Sequence, residues 1–76
     1  MLSREKLIEV VNRSLSLELN PATTPMDVEF KALGIDSLDL FNILVALEVL
    51  MVKKVPDEDL EKLATLGDLL NYFSER

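Results

Sequence analysis

Between Leu38 and Val52 the chain runs for fifteen residues in which only Asp39, Asn42 and Glu48 are polar. Spanning a bilayer takes about 20 apolar residues, so this stretch is too short and too interrupted to cross one. It reads instead as a helix inside a small protein. At about 100° per residue, Leu40, Ile43, Leu44, Leu47, Leu50 and Met51 share one broad face, expected to be core. Leu38, Phe41, Val45, Val49 and Val52 form a second stripe at steps of three and four, with Ser37 at its upper end. Asp39, Asn42 and Ala46 fill the remaining edge, and Glu48 lies where the stripe borders the core. A helix apolar on two faces is buried on both or offers one to a partner. Taken singly, Val45 or Val52 reads equally well as a second core contact. For the whole stripe partial exposure is expected, because 76 residues supply few helices to cover it.

The start of this helix is marked as clearly as its faces. Gly34 breaks the preceding structure, Asp36 is a good N-cap, and Asp39 three residues later completes a capping box. Ser37 then occupies the first helical position and points outward beside backbone N–H groups that lack helical partners. A helix start favours anions, a covalently attached phosphate among them. The simpler reading of Asp36-Ser37 is a cap and nothing more.

The remaining chain reads as further helices. Ser3 caps a first helix from about Arg4 to Ser16, with Leu7, Ile8, Val11, Leu15 and Val10 at helical spacing. Asn20-Pro21 ends it, since proline disfavours helical geometry in the residue before it. Leu19 to Ile35 form a long connection anchored by Val28, Phe30 and Leu33, with Phe30 the expected core plug. Lys53 and Lys54 suit the C-terminal end of the second helix. Pro56 opens a short third helix with acids in its first turn, from which Leu60 and Leu63 turn inward. Thr65 and Asp68 repeat the cap-and-acid pattern before a last helix, Leu66 to Ser74, that offers Leu66, Leu69, Leu70 and Phe73. The expectation is one all-α domain over residues 1–76. It is a small four-helix bundle of three longer helices and a short third one, with a long loop between the first and second.

Composition excludes several chemistries. With no cysteine or histidine, the chain has no disulfide, thiolate site or imidazole base. Ser37 therefore lacks an activating partner of the usual kind, and no Gly-x-Ser-x-Gly elbow is present. Asp36 and Asp39 could share protons, but so short a chain offers them little pocket, and no catalytic residue is assigned. Asp57, Glu58, Asp59 and Glu61 cluster without the spacing or glycine of a calcium loop, so no metal site is assigned. A net charge of −6 repels nucleic acid and favours proteins with basic patches as partners. The N-terminus has no apolar run of a signal peptide, and a cytoplasmic monomer is expected.

Leu33-Gly34-Ile35-Asp36-Ser37-Leu38-Asp39 resembles the attachment motif of the acyl carrier protein family. The resemblance continues along the second helix through Ala46-Leu47-Glu48 and resumes at Val55-Pro56-Asp57-Glu58 and Thr65 to Phe73. The first 32 residues fit in layout only. The resemblance implies that Ser37 carries a 4′-phosphopantetheine arm, derived from coenzyme A and joined by a phosphodiester. Its thiol would hold acyl groups as thioesters and present them to partner enzymes. Those partners would be a phosphopantetheinyl transferase and the acyltransferases, synthases or ligases of fatty-acid, polyketide or related lipid biosynthesis. Phe30, Leu40, Ile43, Leu44 and Leu47 would line the acyl cavity. Asp36, Asp39 and Glu48 match acidic docking positions, and Leu38 and Val45 match apolar ones. Phe41, Val49 and Val52 extend that surface along the stripe.

The chain departs from the family pattern on its second helix. Asn42, Val49 and Leu50 stand where acids are common, and Lys53 and Lys54 follow. Steering toward basic enzymes is weakened and apolar docking gains weight, which points to a specialised rather than a general carrier. The alternative is a non-catalytic helical interaction module that uses the apolar stripe and needs no modification of Ser37.

Overall fold

The computed structural model describes residues 2–74 and contains α1 (Arg4–Leu15), α2 (Ser37–Met51), α3 (Asp57–Leu60) and α4 (Leu66–Ser74), with a 3-10 turn at Phe30–Leu33. Each boundary has a local cause. Ser3 Oγ accepts the Lys6 N–H at the start of α1. The end of α1 is turned out of the helix by Ser16, whose φ is 55°. At α4, Asp68 accepts the N–H groups of Ala64 and Thr65, while Thr65 Oγ1 accepts that of Asp68. Both capping boxes expected from the sequence are present.

Leu7, Ile8 and Val11 of α1 pack with Ile43, Leu44 and Leu47 of α2, and Leu66, Leu69 and Phe73 of α4 complete the core. Leu50 departs from expectation. It is 43% exposed, because it falls on the flank of α2 beside Ala46 and the polar side chains Lys6, Glu9, Arg13 and Ser14 of α1. α2 also stops one residue earlier than its apolar pattern suggests. Val52 swings into the left-handed region at φ 51° and donates its N–H to the Glu48 carbonyl.

The long connection is tied down along its whole length. Asn12 holds Leu19 by both its side-chain amide groups at 2.9 and 3.0 Å. Arg4 donates to the carbonyls of Pro21 and Thr24, and Thr24 is itself buried. Phe30 N–H donates to Ala64 and Gly67 N–H to Met26, which straps the loop to the head of α4. A Cβ added at Gly67 would lie 2.9 Å from the Met26 carbonyl oxygen. Gly67→Ala is therefore expected to cost about 1–3 kcal/mol, read as a lower urea midpoint at unchanged slope.

α3 is a different kind of element. It is a single turn with no buried residue. A Tyr72 Oη bond to Asp59 at 2.9 Å holds it to α4. Lys53 lies over the same tyrosine ring, 4.4 Å from its centroid, and donates to the Tyr72 carbonyl.

Candidate functional site

Ser37 is placed by the seven residues before it and by Asp39, two residues after it. Phe30 is buried and begins the 3-10 turn, and Gly34 reverses the chain at φ 79°. The buried Ile35, whose N–H donates to the Phe30 carbonyl at 2.9 Å, then anchors the strand of chain that enters α2. Asp36 Oδ1 accepts the Asp39 N–H at 2.8 Å, and Asp39 Oδ2 receives the Asp36 N–H at 3.4 Å. Both carboxylates are thus turned toward backbone N–H groups, and Ser37 stands exposed as the first residue of α2.

Two depressions meet at Ser37. One, of about 490 Å³, is bordered by Lys31, Gly34, Ile35, Asp36, Ser37 and Leu40. The other, of about 270 Å³, lies between α2 and α3 and is bordered by Ser37, Leu40, Phe41, Leu44, Leu60 and Glu61. The first offers a cation in Lys31 and open space over Gly34, where an added Cβ would meet nothing within 4 Å. These features fit a phosphodiester on the Ser37 hydroxyl. The second is largely apolar and reaches toward the core.

Of the residues expected to line a cavity, Leu40 and Leu44 border the apolar depression. Phe30, Ile43 and Leu47 sit deeper, in the core cluster, and are not among its walls. Of the expected docking residues, Leu38, Phe41, Val45, Val49 and Val52 are all exposed. Glu48 is half-buried, and its Oε2 accepts the Val55 N–H at 2.7 Å. That bond makes Glu48 a brace for the turn after α2. Lys31 escaped the reading of the sequence. It sits in the 3-10 turn Phe30–Leu33, and the reversal at Gly34 brings it to the Ser37 depression.

Fold and site together define a class, the small helical domain built to carry a phosphopantetheine group. The family model described as phosphopantetheine attachment site matches residues 5–73. The chain is 38% identical over 72 residues to the acyl carrier protein of Clostridium perfringens, covering 93% of this chain and 92% of that one. It is 35% identical to the acyl carrier protein of Thermotoga maritima over an alignment of 79 positions, 100% of this chain and 98% of the relative. For the acyl carrier protein of Wolinella succinogenes the figures are 40% over 58 residues, 75% and 76%. The chain belongs to the acyl carrier protein family.

Proposed function

We propose that Ser37 is the residue through which this acyl carrier holds its 4′-phosphopantetheine. The observation that carries the assignment is the exposed hydroxyl at the first position of α2, at the junction of both depressions. The group, when bound, supplies a thiol that carries acyl chains as thioesters. The chain's own part is positional. Asp36 and Asp39 fix the helix start, Lys31 lies on the phosphate side, and Leu40 and Leu44 give an apolar wall on the other. Phe30, Ile43 and Leu47 stand behind that wall and would line an enlarged cavity. No catalytic step is assigned to any residue.

Asp36, Asp39 and the stripe from Leu38 to Val52 are the docking face for a phosphopantetheinyl transferase and for the acyltransferases, synthases or ligases of an acyl pathway. Glu48 contributes through the shape of the turn it braces. Few acids on α2 favour a dedicated pathway over general fatty-acid synthesis. Among the described residues no helix is long and apolar enough to cross a membrane. A cytoplasmic place of work as a monomer belongs to the same proposal. Incubation with a phosphopantetheinyl transferase and coenzyme A should raise the intact mass by about 340 Da. No gain with any competent transferase would leave only the helical interaction module.

A further inference from the structure

An arm joined to the Ser37 hydroxyl has two ways to lie, one over each of the depressions that meet there. Leu40, three residues further along α2, borders both and stands between them. The two sides differ in charge. Lys31 borders the loop-side depression with Gly34, Ile35 and Asp36. Glu61 borders the depression between α2 and α3 with Phe41, Leu44 and Leu60. Both charged side chains belong to exposed residues. We propose that Lys31 and Glu61 together set the resting direction of the arm. Lys31 pairs with the phosphodiester and lays the unloaded arm over Gly34 and Ile35, while Glu61 turns its anionic root away from α3. The inference rests on Ser37 as the attachment residue and adds the side on which the arm lies.

The charges nearest Ser37 leave that choice to Lys31 and Glu61. Asp36 also borders the loop side, but its Oδ1 is held on the Asp39 N–H at 2.8 Å, back toward α2. Asp39 is turned to the Asp36 N–H in the same capping box. Lys31 is the one lysine or arginine bordering either depression. It belongs to neither ion pair formed among the described residues, Lys6–Glu9 and Lys62–Asp59. On the α3 side Lys62 is drawn to Asp59 at 3.4 Å, so Glu61 is the charge that borders the depression there. Space favours the loop side as well, because a Cβ at Gly34 would meet nothing within 4 Å.

The consequence is a division of labour at Ser37. An unloaded thiol gains little apolar contact by crossing Leu40 and stays on the loop side, open to the enzyme that loads it. An acyl chain gains the apolar wall of Leu40, Leu44 and Leu60 by crossing, and that gain must exceed the pull of Lys31 on the root.

Nuclear Overhauser contacts test this on isotope-labelled protein carrying an unlabelled, unacylated arm, once intact mass shows that Ser37 is loaded. The two methyl groups beside the phosphodiester should contact Lys31 and Gly34 at least about threefold more strongly than Phe41 and Leu60. Lys31→Ala should lower that loop-to-α3 ratio about two- to fivefold, and Lys31→Glu should lower it further, whereas Lys31→Arg keeps it. Glu61→Lys should lower it about two- to fivefold from the other side. The phosphorus resonance should shift in Lys31→Glu and stay near the parent position in Lys31→Arg. Spectra of each variant without the arm verify its fold. An arm that shows no preference for the loop side, or a ratio that Lys31→Glu leaves at the parent value, would overturn the proposal. A chain that gains no mass at Ser37 fails earlier, at the attachment itself, and the proposal falls with it.

Discussion

Ser37→Ala is expected to show no mass gain under conditions in which the parent chain acquires about 340 Da. The effect should be all or none, because the substitution removes the one oxygen to which the phosphate would be joined. The chain has four other serines, and each is placed differently. Ser3 Oγ accepts a backbone N–H as the cap of α1. Ser14 is half-buried, and Ser16 is the left-handed residue that ends α1. Ser74 Oγ donates to the Leu2 carbonyl. Ser37 alone heads a helix at the meeting of a cationic and an apolar depression. The same variant should fold as the parent does. Asp36 rather than Ser37 caps α2, alanine suits the first helical turn, and an exposed change of this kind shifts stability by no more than about 0.5 kcal/mol. A folded Ser37→Ala chain that still gains the mass would move the attachment elsewhere.

Phe30→Ala should have the largest effect on stability. The ring is buried, and the loss of an aromatic side chain from a core costs about 3–5 kcal/mol. A domain of this length has only roughly 4–11 kcal/mol in total. Phe30 is also the junction of two straps, its N–H on Ala64 and its carbonyl receiving Ile35. Loosening it frees the chain just before Asp36, so the helix start would lose its anchor along with the core. The expected outcome is a urea midpoint lowered by at least about a quarter and a raised unfolded fraction at 37 °C by circular dichroism. An unfolding free energy within about 1 kcal/mol of the parent would show that the loop is held by its hydrogen bonds and not by the ring.

The helices were legible in the sequence because their signals are local. Caps at Ser3, Asp36 and Thr65 lie within three residues of the groups they satisfy, and the apolar period of α1 and α4 needs no distant partner to be read. The loop was legible only as a long connection with Phe30 as its plug. Arg4 reaching Pro21 and Thr24, or Gly67 meeting Met26, joins residues far apart in sequence, and no pattern of neighbours announces such a bond. The site divides in the same way. Asp36, Ser37 and Asp39 follow from capping rules alone, whereas Lys31 enters through a chain reversal. Leu50 misled because helical spacing alone could not say which flank of α2 α1 leaves open.

The single turn of α3 gives the molecule a hierarchy of response to cargo. Under the proposed function, an acyl chain larger than the depression beside Leu40 and Leu44 would have to displace one of its walls, and these differ in what displacement breaks. Moving α1 or α4 would open the common core. Moving α3 disturbs the Tyr72–Asp59 hydrogen bond, one turn of backbone and the packing of the half-buried Leu60, the kind of segment that opens locally without global unfolding. Volume can therefore be created next to Ser37 while the rest of the bundle keeps its packing. Passengers of different length would then be registered as graded excursions of a single peripheral turn, leaving α2 as a constant platform for whichever enzyme comes next.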